Sequence, residues 1–191
     1  MDSEREHWDR RYRDGSHANA EPDPLLVRAY QDYISSLLAP GRAVDIAGGV
    51  GRHAIWLAQR GWQVDLVDVS EAGLAIARER AQTASVQMSA IQHDLTCGLP
   101  QDQRYNVVLN FFYLQRDLYA PIHDALAPGG VLVVKTYTER HPELSGGRGP
   151  THPMHLLQSG ELLHEFRSLD VLFYRETVKD KGIAELVARK P

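Results

Sequence analysis

The sequence has few of the residues that stabilise a small fold covalently or through metal ions. Cys97 is the one cysteine among 191 residues, which excludes an intramolecular disulfide framework and a multi-cysteine metal site. No apolar run reaches about 18 residues, and the charged N-terminus lacks a cleavable signal pattern, so neither a membrane span nor a secretory leader is predicted. A reducing, cytoplasmic location is expected.

An excess of positive charge is also missing. Lysine and arginine number 21 against 25 acidic residues, which gives a formal net charge of −4. That balance offers no basic surface for a phosphate backbone, so we expect neither a nucleic-acid partner nor a membrane partner. A hydrophobic content of 43% with 24% charged residues is ordinary for a globular chain, and the length suits a single domain.

One stretch has the pattern of a nucleotide site. A short apolar run at 43–46 leads into a glycine turn, and a helical pattern follows at 52–60. Gly49 and Gly51 have no Cβ, so a ligand can approach the backbone closely, and the new helix offers unpaired N–H groups to an anion. Asp68 closes the next apolar run, where an acidic side chain accepts both hydrogen bonds of a ribose diol.

The rest of the chain alternates between strand and helix patterns. Further strands are predicted at 63–67, 86–91, 105–110 and 131–136, and further helices at 24–37, 71–82, 117–126 and 161–166. A turn is expected at 127–130 and a final pair of strands at 169–174 and 183–188, joined by a polar turn. This order predicts an α/β fold with a doubly wound parallel sheet closed by an antiparallel hairpin.

The motifs resemble those of one enzyme superfamily. The pattern Asp45-x-Ala47-x-Gly49-x-Gly51, followed by Asp68, resembles motif I and the next acidic position of class I S-adenosylmethionine-dependent methyltransferases. Ala47 departs from the glycine that this superfamily most often has there. The run Leu126-x-Pro128-Gly129-Gly130 before a β-branched strand resembles the turn that precedes strand five of these enzymes.

Other segments resemble a particular branch of that superfamily. Arg52-His53-Ala54, Tyr113-Leu114-Gln115-Arg116 and 155–163 look like the small tellurite-resistance type branch, which methylates small molecules, including chalcogen oxyanions. The resemblance implies a Rossmann-like, seven-stranded, mostly parallel sheet with a C-terminal antiparallel hairpin. It also implies in-line transfer of a methyl group from S-adenosylmethionine to a small-molecule acceptor, by a monomer or a homodimer.

The resemblance further implies a cofactor site. The glycine turn would receive the methionine carboxylate, Asp45 the ammonium and Asp68 the ribose, while Asp94 and Leu95 would frame the adenine. The expected cofactor-binding residues are Asp45, Ala47, Gly48, Gly49, Gly51, Asp68, Val69, Asp94, Leu95 and Asn110.

The acceptor is expected where the fourth strand ends, at Asn110-Phe111-Phe112-Tyr113, because residues just past the carboxyl ends of parallel strands face the ligand crevice. This run lacks both prolines of the amino-methyltransferase signature, which argues against methylation of a nucleobase or a glutamine amide. The expected substrate residues are Tyr12, Tyr113, Arg116 and Tyr137. Arg116 binds either an anionic acceptor or a scaffold carboxylate, and no catalytic base is singled out among Tyr113, Tyr137 and His155.

Two further segments leave alternatives open. The pattern Trp8-Asp9-x-Arg11-Tyr12 resembles the opening of many small methyltransferases and fits either a flap over the active site or a solvated helix. The residues at 139–157 predict a substrate-side loop, in which His141, His152 and His155 are interpreted as ordinary polar residues and not as metal ligands. One methyltransferase domain is predicted over 1–191, with N-terminal helices at 1–40, a cofactor core at 43–138 and a closing helix and hairpin at 158–191.

Two rival functions remain at this point. An NAD-dependent oxidoreductase would use a similar glycine turn, although Asp45 and the terminal hairpin disfavour it. A non-catalytic S-adenosylmethionine-binding protein would share the whole cofactor site and differ only in lacking turnover.

Overall fold

The computed structural model describes residues 3–15, 19–37, 39–100 and 103–191. The helices are α1 (Glu4–Arg13), α2 (Pro24–Ala29), α3 (Ser35–Leu37), α4 (Arg52–Ala58), α5 (Glu71–Thr83), α6 (Tyr119–Ala125), α7 (His141–Leu144) and α8 (Glu161–Glu165). The strands are β1 (Arg42–Ile46), β2 (Gln63–Asp68), β3 (Ser89–Gln92), β4 (Tyr105–Phe111), β5 (Leu126–Tyr137), β6 (Asp170–Lys179) and β7 (Lys181–Arg189). A π-helical segment, Tyr30–Ile34, joins α2 to α3.

The strands form one seven-stranded sheet in the order β3-β2-β1-β4-β5-β7-β6. The first five strands run parallel to one another, whereas β7 pairs antiparallel with both β5 and β6. This arrangement confirms the predicted doubly wound sheet with its C-terminal antiparallel hairpin. The order reverses beside β1, so the carboxyl ends of β1, β2 and β4 border the crevice in which such sheets bind ligands.

Both faces of the sheet are covered, as a buried parallel sheet requires. On one face, the apolar side chains of α6 and α8 pack on β1, β4 and β5. On the other face, α2, α4 and α5 pack on the same strands and on β2. Within the described residues, no helix combines the length and the apolar character needed to cross a bilayer.

Several predicted boundaries differ from the structure, among them those of the last two strands, which run longer than expected and leave only Asp180 between them. The third strand begins at Ser89 and not at Val86, because the Val86 N–H donates to Ala81 O and so still completes the end of α5. The fourth strand runs one residue further than expected, to Phe111. The helix expected at 117–126 begins as a 3-10 turn, Arg116–Leu118, and becomes α-helical only at Tyr119.

The turn expected at 127–130 is instead an irregular part of β5. Tyr105 pairs with Leu126 and Val107 pairs with Val131, so β5 carries extra residues that bulge between these two pairs. The Gly129 N–H donates to Lys190 O and its φ is +73°. Hydrogen bonds to the chain after β7 therefore keep this stretch in the sheet.

Candidate functional site

The glycine turn after β1 is tied to the end of β2 by one carboxylate. The Gly49 N–H donates to Asp68 Oδ2 over 2.8 Å, and the Ser70 N–H donates to Asp68 Oδ1 over 2.9 Å. Burial raises the pKa of Asp68 to about 6, although both backbone hydrogen bonds oppose the change. An ionised carboxylate has about four lone-pair sites, so two remain for hydroxyl donors.

A second carboxylate lies beneath the same turn. Asp45 is fully buried, and neither of its carboxylate oxygens has a hydrogen-bond partner among the described residues. A Cβ on Gly48 would lie 2.6 Å from Asp45 Oδ2, so only glycine lets the turn cover this side chain. An unpaired buried carboxylate is energetically costly, and a positively charged donor is the group that would offset this cost.

His53 is the neighbour of Asp45 that sequence reasoning missed. Its Nδ1 lies 3.8 Å from Asp45 Oδ1, and its buried Nε2 has no partner in the described part of the chain. The imidazole packs on Phe111 with ring centroids 4.1 Å apart. The sequence feature that could have indicated His53 is its position two residues after Gly51, on the first turn of α4.

Helix α1 lies across the glycine turn. The Tyr12 ring contacts Gly49 and Gly73, and a side chain at either glycine would overlap it. Asp9 Oδ1 accepts from the Ser70 hydroxyl over 2.5 Å and from the Ala72 N–H over 3.0 Å. Asp9 thus adds a contact from another helix to the Ser70 N-cap of α5, and Tyr12, expected as a substrate residue, lies against the glycine turn.

The expected adenine side is built by the segment after β3. Asp94 is exposed and caps a 3-10 turn, since its Oδ1 accepts from the Thr96 N–H and hydroxyl, and these bonds lower its pKa. Leu95 is buried behind it. Asn110, at the end of β4, is buried, and its Oδ1 has no partner among the described residues.

Two expected substrate residues have contacts within the protein. The Tyr113 hydroxyl donates to Gln115 Oε1 over 2.5 Å, and the Gln115 amide donates to Leu95 O over 3.0 Å. The Arg116 guanidinium makes two bonds to Glu161, of 2.8 and 2.9 Å, and donates to Leu156 O over 3.0 Å. Tyr113 is therefore linked to the adenine side, and Arg116 holds the 154–161 segment against β4.

Tyr137 lies on the other side of the crevice, beside Phe112, which the sequence placed in the expected acceptor run but not among the substrate residues. The Phe112 ring is 38% exposed and its centroid lies 5.0 Å from that of Tyr137. Phe112 has a φ of +59°, a left-handed conformation that is strained for a bulky side chain. On the far side of Tyr137, the buried His141 ring packs at 4.2 Å. Phe112 combines backbone strain with solvent exposure, and no sequence pattern predicts either property.

The 139–157 segment is more ordered than a simple loop. It contains α7 and a 3-10 turn, Pro153–His155, and its two ends are joined where Leu157 N–H donates to Tyr137 O. His141 is buried and its Nε2 lies 2.9 Å from Arg148 O, whereas the exposed His152 and His155 rings lie 6.1 Å apart. Across the described ranges, no three His, Cys, Asp or Glu side chains are grouped to hold a metal ion.

Comparison with known proteins agrees with this geometry. The family model described as "Methyltransferase domain" matches residues 43–130. The ribosomal RNA small subunit methyltransferase C of Alcanivorax borkumensis is 31% identical over 121 residues, which are 59% of this chain and 36% of that protein. The chain thus spans only about a third of that relative's length.

Solved structures give the same fold. The crystal structure of TehB from Haemophilus influenzae has a TM-score of 0.75 at 18% identity, with 95% of this chain and 66% of that chain covered. The 1,6-didemethyltoxoflavin-N1-methyltransferase of Burkholderia thailandensis, with S-adenosylhomocysteine bound, has a TM-score of 0.69 at 18% identity and covers 97% and 86%.

Proposed function

We propose that this chain is a class I S-adenosylmethionine-dependent methyltransferase that transfers a methyl group to a small-molecule acceptor, and the methyltransferase-domain match over residues 43–130 supports this proposal. The observation that carries the proposal is the pair of buried carboxylates, Asp45 and Asp68, that flank one glycine turn. Buried acids with unused acceptor capacity favour a ligand rich in donors. The cofactor has two such groups, an ammonium and a ribose diol.

Each side chain of the site then has a distinct role. Asp45 receives the ammonium, Asp68 receives the ribose hydroxyls, and the backbone of the glycine turn, with Arg52 beside it, receives the carboxylate. The adenine is framed by Asp94 and Leu95, with Val69 and Asn110 completing the cofactor side. Ala47 and Gly48 keep the turn close to the ligand, because neither has a long side chain.

S-adenosylmethionine supplies a methyl group that is already activated by its sulfonium centre. The protein therefore needs mainly to hold the acceptor in line with that methyl group and to exclude water. Correct placement alone lowers the activation barrier by roughly several kcal/mol. Tyr12 and α1 cover the glycine turn, which supports a role for α1 as the cover of the cofactor. No described residue is assigned as a catalytic base.

The cofactor assignment is tested by comparing two ligands. S-adenosylhomocysteine contains the ribose, the adenine and the amino-acid part of the cofactor. 5′-Methylthioadenosine contains the ribose and the adenine but lacks the amino-acid part. We expect Asp45→Asn to weaken the binding of S-adenosylhomocysteine about 10- to 100-fold, because a charge-assisted hydrogen bond is lost. The affinity for 5′-methylthioadenosine should not change. Asp68→Ala is expected to weaken both ligands. Isothermal titration measures all four affinities.

Asp32→Ala is the matched control, because Asp32 is an exposed acid on the π-helical segment. It is expected to bind both ligands as the parent protein does. Failure of the parent protein to bind either ligand contradicts the proposal, and binding of NADH in its place would favour the oxidoreductase. Cofactor binding without turnover of any acceptor would favour the non-catalytic binding protein.

RNA is the second candidate acceptor, because the curated relative is a ribosomal RNA methyltransferase. The net charge of −4 and the absence of the two signature prolines after Asn110 support the small-molecule acceptor instead. Methyl transfer to ribosomal RNA in an assay with labelled cofactor would reverse this preference. We further propose a cytoplasmic protein with a single domain, present as a monomer or homodimer, in keeping with its free, exposed Cys97.

A further inference from the structure

The acceptor side of the crevice contains an aromatic surface, which we call the aromatic wall and define as Phe112 and Tyr137. Phe112 directly follows β4 and Tyr137 is the last residue of β5. Because β4 and β5 are parallel, both residues lie at the carboxyl edge of the sheet. Their ring centroids lie 5.0 Å apart with an interplanar angle of 42°.

The backbone at Phe112 has no explanation in the hydrophobic core. The residue has a φ of +59°, and its N–H donates to Lys135 O over 2.6 Å, which holds this conformation. Burial in the core does not offset this strain, because 38% of the residue is exposed. A strained, exposed aromatic residue at a ligand crevice points to a role in binding.

Tyr137 gives the aromatic wall one polar atom. Its hydroxyl has no hydrogen-bond partner among the described residues, while its ring is supported from behind by His141 at 4.2 Å. Burial raises the pKa of Tyr137, so the hydroxyl keeps its proton near neutral pH. It can donate to, or accept from, a substituent on a ring that lies against Phe112.

Two of the nearby cations, Lys135 and Arg116, are already paired with carboxylates. Lys135 Nζ lies 5.8 Å from the centre of the Phe112 ring, but it contacts Asp23 Oδ1 at 3.0 Å and Glu185 Oε1 at 3.1 Å. Arg116 is paired with Glu161. Arg52 has no acceptor in the described part of the chain, but it follows Gly51 directly and is assigned to the cofactor carboxylate. An oxyanion acceptor would therefore lack a dedicated cation.

We propose that the acceptor is a planar aromatic or heteroaromatic molecule with a hydroxyl or amino substituent, bound against the aromatic wall. Stacked and edge-to-face ring contacts stabilise such a ligand beyond its buried area. This proposal rests on the methyltransferase function and specifies its substrate class. The substituent's lone pair forms the new bond to the methyl carbon, the carbon–sulfur bond breaks with its electron pair on sulfur, and the proton of the substituent passes to water.

The experiment compares aromatic probes with oxyanions. Turnover with labelled S-adenosylmethionine is measured for catechol, 8-hydroxyquinoline and 4-aminoquinoline, and separately for selenite and tellurite. We expect methylation of at least one aromatic probe, and Phe112→Leu is expected to lower its kcat/KM about tenfold while leaving the S-adenosylhomocysteine affinity unchanged. Phe112→Tyr, which keeps the ring, is expected to retain activity.

Phe173→Leu is the matched control, because Phe173 is a partly buried phenylalanine on β6, and it should leave kcat/KM unchanged. Cofactor binding without methylation of any aromatic probe would overturn the inference while leaving the cofactor site intact. Turnover of selenite or tellurite that survives Phe112→Leu would also overturn it. Loss of S-adenosylhomocysteine binding in the parent protein would instead reject the methyltransferase function itself.

Discussion

At the scale of single residues, the protonation state of Asp68 is expected to make the affinity for the cofactor depend on pH. Its carboxylate accepts from Gly49 and Ser70, and burial raises its pKa to about 6. Ribose hydroxyls are best accepted by the ionised form, so affinity is present above that pKa and lost as the pH falls through it. We expect S-adenosylhomocysteine to bind about tenfold more weakly at pH 5 than at pH 7.5.

Isothermal titration across that range measures the effect. Asp68→Asn removes the titrating group and is expected to bind weakly with a flat profile between the two pH values. A parent protein whose affinity is constant over the range would show that Asp68 does not contact the cofactor.

At the scale of elements, the docking of α1 depends on one acid. Asp9 is buried and accepts from the Ser70 hydroxyl and the Ala72 N–H, so it extends the N-cap of α5, in which the Ser70 hydroxyl oxygen accepts from the Gly73 N–H. Asp9→Ala is expected to reduce the free energy of unfolding by about 1–2 kcal/mol. It should also expose α1 to limited proteolysis, because its polar anchor on α5 is lost.

Urea unfolding and protease digestion test these two effects. Asp14→Ala is the control, since Asp14 is an exposed acid at the end of the same helix. Protection of the Asp9 variant equal to that of the parent protein would mean that the Trp8 and Tyr12 packing alone holds α1.

At the scale of the whole molecule, a buried ion cluster connects the N-terminal helices to the sheet. Lys135 on β5 bridges Asp23, the N-cap of α2, and Glu185 on β7, and Arg175 on β6 also binds Glu185. Removing Lys135 leaves the buried Asp23 carboxylate without its cation, whereas Glu185 keeps its bond to Arg175. We expect Lys135→Met to lower the free energy of unfolding by about 3–5 kcal/mol.

Equilibrium urea denaturation measures this change. The control is Lys179→Met on the exposed end of β6, which should alter stability little. A Lys135 variant as stable as the parent protein would show that apolar packing compensates for the lost charge.

The structure also shows which features a local pattern predicts. The strand-turn-helix at 43–60 was recognised because strand, glycine turn and helix are adjacent in sequence. The bulge at Gly129 was missed because Lys190, more than 60 residues later, bonds to it. The same limit applies to the site: Asp45 and Asp68 stood out by their motif, whereas Phe112 was placed only within the expected acceptor run, because its strain and exposure depend on neighbouring strands.

The sequence by itself determined the alternation of strands and helices, the glycine turn with its two acids, and the resemblance to the superfamily, since periodicity and motif spacing are local properties of the chain. Only the tertiary structure decided that Arg116 is paired with Glu161, that Asp9 extends the N-cap of α5, and that Phe112 and Tyr137 form one surface. The physical reason is that a side chain's partner depends on which elements the sheet order brings together. Residues far apart in sequence carry no local signal of that contact.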